Sequence, residues 1–124
     1  MIHLDTSVVV DAFTGPQRSA IALRAFIAAG ERIVLSSLVL YEWRRGPRRP
    51  EELAAQEALF PAEEVAPFGS AEAAVAAELY RVLSRPRGRE IDLAIAACAI
   101  TNHARLWTLN ARDFRDIPRL SLAD

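Results

Sequence analysis

Lysine is absent from this chain. All 15 basic residues among its 124 are arginine, set against 16 acidic ones, for a formal charge of −1. Chemistry that requires a lysine ammonium is therefore excluded. No global basic field attracts nucleic acid either, so any such binding must rest on local patches. Cysteine is almost absent: Cys98 stands alone, which rules out an internal disulfide, fits a reducing compartment and reads as a buried structural thiol. Long hydrophobic runs are missing, since the longest, Leu93–Ile100, is far too short to span a bilayer. Asp5 and Asp11, with no basic lead-in, do not make a signal peptide. The expectation is a cytoplasmic protein with no membrane partner. A hydrophobic content of 52% argues against disorder, and the length suits one domain, residues 1–124, around a single core.

What is present is organised around Arg89–Phe114. Wound as a helix, Glu90–His103 is apolar on nearly every side, the pattern of a buried helix. Asp92 in its first turn heads a stripe of Ala96, Ala99 and His103 at helical spacing. A carboxylate there has an ordinary explanation, complementing the helix dipole for a few tenths to about 1 kcal/mol.

Taken in order, Ile2–Leu4 predicts a strand, and Asp5-Thr6-Ser7 a turn capping a helix through Phe13. Gly15-Pro16 breaks the chain before a helix over Gln17–Ala29, closed by Gly30. Arg32–Leu35 predicts a strand. Ser36-Ser37 caps a helix over Leu38–Arg45 that carries Glu42, and Pro50 begins another over Glu51–Phe60. Glu63–Phe68 predicts a short strand, and Ser70 caps a helix over Ala71–Ser84. After the central helix, Arg105–Leu109 predicts a strand, Asn110–Asp116 a polar turn anchored by Phe114, and Leu120–Leu122 an edge strand. Apolar runs alternating with helices imply an α/β fold: a mostly parallel sheet of four to five short strands with helices on both faces.

In such folds ligands bind beyond the carboxyl ends of the strands. Asp5, Asn110 and Asp113 follow strands, Glu42 lies in the helix after the second strand, and Asp92 lies in the first turn of the helix before the strand at Leu106–Leu109. Convergence of these carboxylates on one sheet edge would be strained, because two unit charges roughly 5 Å apart repel by about 3 kcal/mol at an effective dielectric near 20. A bound cation relieves that strain, and hard oxygen ligands without a cysteine or histidine cluster point to Mg²⁺ or Mn²⁺. Such ions activate water and clamp a phosphodiester.

Asp5-Thr6-Ser7, Ser37 through Glu42, Asp92 within Ile-Asp-Leu-Ala-Ile-Ala-Ala, and Thr108-Leu-Asn-Ala-Arg-Asp-Phe together resemble the PIN-domain ribonucleases, and among them the VapC toxins of type II toxin–antitoxin pairs. The resemblance runs the whole length of the chain. It implies a single PIN domain and a metal-dependent endoribonuclease using Mg²⁺ or Mn²⁺. It also implies a homodimer and a cognate antitoxin, through which alone the chain would meet DNA. Matched position by position, Asp5 and Asp92 become the main metal ligands, and Glu42 holds a metal-bound water or a second ion. Asn110 stands where many relatives carry an aspartate. Asp113 is then expected to complete the site, with Asn110 hydrogen-bonding water or phosphate and Thr6 or Ser7 orienting Asp5 or contacting the scissile phosphate. Arg85, Arg87 and Arg89, with Arg44 and Arg45, are expected to grip the RNA backbone, which positions without reading sequence.

Other readings fare less well. A phospho-receiver domain needs a lysine, as does a haloacid-dehalogenase-like phosphatase, which also wants Asp-x-Asp at the start. A histidine nuclease is disfavoured because His3 falls in a strand and His103 at a helix C-terminus. Trp43 and Trp107 read as packing residues rather than base-stacking platforms. A non-catalytic PIN module binding RNA or a partner is the remaining alternative, kept open by Asn110.

Overall fold

Ile2, His3 and Leu4 are buried on both faces, as the middle strand of a parallel sheet must be. In the computed structural model, which describes residues 1–123, this strand β1 (Ile2–Leu4) pairs with β2 (Ile33–Val34) on one side and β3 (Arg105–Trp107) on the other. β3 pairs in turn with β4 (Ser121–Leu122), so the order is β2-β1-β3-β4 and every pairing is parallel. The chain steps from β1 outward to β2, then crosses back over β1 to β3. Right-handed crossovers in opposite directions set helices on both faces and leave a switch point between β1 and β3.

The helices are α1 (Thr6–Phe13), α2 (Ala20–Ala28), α3 (Ser37–Arg45), α4 (Pro50–Leu59), α5 (Ser70–Val82) and α6 (Glu90–Thr101). α6 is buried from Leu93 through Ile100, as its all-round apolar pattern requires, and packs against α5, β1 and β3. Trp43 is fully buried beside Phe13, with Phe60 on the far side of that ring, and Arg48 lies over its face at 4.2 Å. Trp107 meets Phe26 edge to face. Both tryptophans are core residues. Cys98 is likewise buried, and burial pushes its thiol up to about 11, which makes it an inert packing group at neutral pH.

Several boundaries differ from expectation for identifiable reasons. Glu63–Phe68 is not a strand. It holds a 3-10 turn at Ala62–Glu64 and one parallel bridge, Ser36 to Ala66. The next ladder bond would come from Phe68 N–H, which donates instead to Ser37 Oγ at 3.2 Å because Ser37 already begins α3, so pairing ends after a single bridge. α2 starts at Ala20 rather than Gln17, because Gln17 sits at φ 54°, outside the helical region. α6 ends at Thr101 and His103 adopts φ 53°, so His103 leaves the Asp92–Ala96–Ala99 stripe and serves as a left-handed terminator. The N-cap of α5 is Gly69, whose N–H donates to Glu72 Oε1 at 2.9 Å, rather than Ser70. β3 stops at Trp107, two residues early, because Thr108 turns toward β1.

Candidate active site

Asp5 occupies the N-cap of α1, yet its carboxylate makes no capping bond. Ser7 Oγ donates to its Oδ2 at 2.8 Å and Thr108 Oγ1 donates to the same oxygen at 2.7 Å. Each hydroxyl oxygen then accepts a backbone N–H: Leu109 N–H to Ser7 at 3.0 Å and Asn110 N–H to Thr108 at 2.9 Å. The result is a closed brace between the carboxyl ends of β1 and β3, at the switch point. Asp5 is only 5% exposed. With Oδ2 taken by the two hydroxyls and no capping bond made, Asp5 lines the open space in front of the sheet.

That space is a groove of about 600 Å³. Asp5, Thr6, Ser7, Glu42, Asp92 and Asn110 line it, together with Val10, Asp11, Thr14, Arg18 and Leu109. α3 delivers Glu42, whose Oε1 accepts the Thr6 hydroxyl at 2.6 Å and whose Oε2 meets Arg45 at 3.3 Å. The first turn of α6 delivers Asp92, half-buried, whose carboxyl is raised to about 6 by burial and by the charges of Asp5, Glu42 and Asp113. A carboxyl held that far above the usual range marks a surplus of negative charge in a desolvated place. Such a site favours a cation.

The remaining expected residues lie elsewhere. Asp113, in the exposed 3-10 turn Ala111–Asp113, does not line the groove, although its charge reaches Asp92. Arg89 is engaged: it grips Asp116 through both guanidinium nitrogens at 2.6 and 2.9 Å and also donates to the Asp113 and Arg85 carbonyls. Arg85 and Arg87 are exposed and outside the groove, as is Arg44. Arg45 pairs with Glu42 and lies over Tyr41 at 5.3 Å. Three polar groove residues were not singled out from sequence, Asp11, Thr14 and Arg18, and neither was Thr108, which braces Asp5 without lining the groove. The spacing Ser7, Asp11, Thr14 on α1 is a helical face, and reading that face would have found two of them.

The donor set fits a hard divalent ion, being carboxylates and hydroxyls with no sulfur or imidazole. Among the described residues, no group of three or more acidic, histidine or cysteine side chains is arranged to hold a metal as it stands. Asp5 and Asp92 are the carboxylates that could hold such an ion.

A parallel α/β sheet with a hydroxyl-braced acidic groove at its switch point is the architecture of a PIN domain. The chain belongs to that family: the PIN domain model matches residues 2–120. Ribonuclease VapC19 of Mycobacterium tuberculosis is 38% identical to it over 94% of each chain. Among solved structures it is similar to VapBC2 from Rickettsia felis bound to a DNA fragment from its promoter, with TM-score 0.78 and 28% identity over 99% of this chain and 98% of that one. It is also similar to DNA-bound VapBC from Salmonella typhimurium, with TM-score 0.81 and 25% identity over 99% and 96%.

Proposed function

We propose that this chain is a metal-dependent endoribonuclease, the toxin of a type II toxin–antitoxin pair, hydrolysing RNA phosphodiester bonds in the groove between β1 and β3. The observation that carries the reading is the Asp5 carboxylate, withheld from capping α1 and braced by Ser7 and Thr108 beside the raised Asp92. Kinship with a ribonuclease of the VapC kind supports RNA as substrate. Similarity to VapBC assemblies bound to DNA supports a cognate antitoxin through which the chain meets DNA.

Asp5 and Asp92 would hold Mg²⁺ or Mn²⁺, with Glu42 positioned by Thr6 to hold a coordinated water. When bound, the ion lowers the pKa of water and neutralises charge on the phosphate. The protein's own contribution is orientation. The Ser7 and Thr108 hydroxyls fix Asp5, the Thr6 hydroxyl fixes Glu42, and Asn110 offers an amide to phosphate or water at the groove mouth. Asp113 stands one step back, acting on the site through its charge on Asp92. We take the chain to work as a cytoplasmic homodimer, as the family resemblance implies. Among the described residues no helix is long and apolar enough to cross a membrane.

Purified protein incubated with a mixed pool of structured and single-stranded RNA in Mg²⁺, Mn²⁺ or EDTA tests the reading, beside an Asp5→Asn, Asp92→Asn double variant. Metal-dependent cleavage that the variant loses is the expected result. RNA binding with no cleavage in either metal would replace it with the second reading, a non-catalytic PIN module, which Asn110 at the fourth position favours.

A further inference from the structure

Four carboxylates face the groove, from Asp5, Asp11, Glu42 and Asp92, and a single basic side chain, Arg18. Electrostatics therefore opposes a polyanion along most of the groove and favours it at one end. Arg18 stands on the turn between α1 and α2, at the far end of α1 from Asp5. Since α1 has eight residues, roughly 12 Å of helix separates them. The guanidinium is exposed and has no ion-pair partner among the described residues. The other basic residues near the site are differently placed: Arg89 is held by Asp116, Arg45 by Glu42, and Arg85 and Arg87 lie outside the groove.

The turn that carries Arg18 is fixed in place. Thr14 bonds back to Val10 O through both its N–H and its hydroxyl, and Gln17 N–H donates to Thr14 O. Gln17 is held at φ 54°, a conformation that non-glycine residues rarely adopt. The buried Ser19 hydroxyl donates to Asp11 Oδ2 at 2.5 Å, tying the start of α2 to the groove face of α1. This bond also neutralises part of the acceptor capacity of Asp11, the carboxylate nearest Arg18 in sequence. A cation is thus presented at a defined point along the groove, well away from the acidic centre.

Resting on the ribonuclease reading, we infer that Arg18 seats a phosphate of the bound RNA strand other than the scissile one, fixing where along the groove the strand lies. Arginine suits this role because its planar fork matches phosphate oxygens in pairs. The contact exists in ground state and transition state alike, so it acts on binding rather than on chemistry.

The test is steady-state cleavage of a random-sequence single-stranded RNA in Mn²⁺, at several salt concentrations, by the full chain and by Arg18→Gln, Arg18→Lys and Arg32→Gln. Arg32 is exposed and outside the groove, so Arg32→Gln serves as the charge control. The expected result for Arg18→Gln is a KM raised roughly three- to tenfold with kcat within about twofold of the parent, and a salt slope of log kcat/KM shallower by about 0.7. Arg18→Lys keeps the slope and recovers part of the KM. Thermal unfolding of each variant checks that the fold is intact. If the parent cleaves and Arg18→Gln matches it in KM and slope, the inference fails and the ribonuclease reading stands. A fall in kcat alone, with KM unchanged, also overturns it. If the parent cleaves nothing, both fall together.

Discussion

Thr108 donates its hydroxyl proton to Asp5 across 2.7 Å, joining the residue after β3 to the residue after β1, 103 positions away in the chain. The bond closes the sheet at its switch point and aims the carboxylate at the groove in one step. Thr108→Val keeps the shape and removes the donor, leaving a buried carboxylate with one hydroxyl partner instead of two. Hydrogen bonds to charged groups contribute about 1.5–3 kcal/mol, so urea denaturation should show a loss in that range. Cleavage should fall by at least tenfold, and Thr108→Ser should recover most of both. Full activity in the valine variant would mean that Asp5 needs no brace.

Asp92 sets stability against function. Its carboxyl is raised to about 6 by burial, then by Asp5, Glu42 and Asp113. A folded value above the unfolded one means that the proton stabilises the fold. This contribution is full below the unfolded value and is lost as pH rises through about 6. At pH 8 the metal-free protein therefore carries a penalty of about 1–2 kcal/mol, after allowing for solvent at the groove. Asp92→Asn removes it. The variant should melt higher than the parent in EDTA at pH 8, by less as pH falls through about 6, and show little difference only near pH 3, below the unfolded value. It should cleave no RNA and gain less thermal stability from Mn²⁺. A lower melting point at pH 8 would show that Asp92 is a structural carboxylate.

The framework was legible because short apolar runs and amphipathic stretches alternate cleanly, and because Asp5 follows the first strand, Glu42 lies in the helix after the second and Asp92 in the first turn of α6, positions that the topology brings together. The exceptions have identifiable causes, most of them distant in the chain. Glu63–Phe68 reads as a strand from composition, but its partner turns into α3 at Ser37, whose hydroxyl takes the Phe68 N–H and ends the pairing. Thr108 read as the tail of a strand because β-branched residues favour strands, and nothing local reveals a hydroxyl bonded to a residue 103 positions away. Arg89 read as a free cation because its partner Asp116 lies 27 positions away, across the whole of α6 and β3. Arg18 fell inside the helix expected over Gln17–Ala29, and only the folded turn ahead of Ala20 shows that it stands on the groove.

The Arg89–Asp116 pair predicts a coupling that neither residue shows alone. Arg89 joins the N-terminus of α6, which carries Asp92, to the turn that carries Asp113, through the Asp113 carbonyl and both oxygens of Asp116. A double-mutant cycle on Arg89→Ala and Asp116→Ala should give a coupling of about 0.5–1 kcal/mol, modest because Asp116 is 52% exposed. Arg89→Lys should behave more like alanine than like arginine, since an ammonium cannot make the paired contact. The salt dependence of RNA cleavage should stay as in the parent. A shallower slope on Arg89→Ala would return Arg89 to the phosphate-gripping role that its basic loop suggests.

His3 makes acid stability a readout of the central strand. Buried in β1 with Nε2 2.9 Å from Asn102 Nδ2, it is lowered to about 4 by burial. The Asn102 amide donates, so the neutral ring accepts, and protonation would destroy that bond while placing a charge in the core. The unfolded chain takes up the proton near pH 6.5 and the folded one only near 4, so the unfolded state binds more protons between those values. Stability that is complete above about pH 6.5 should therefore decline by about 3 kcal/mol as pH falls to 4. Urea midpoints across that window, compared between the parent and His3→Leu, isolate the effect. The parent should lose the extra stability and the variant should not. Parallel curves would mean that His3 is reached by solvent and titrates alike in both states.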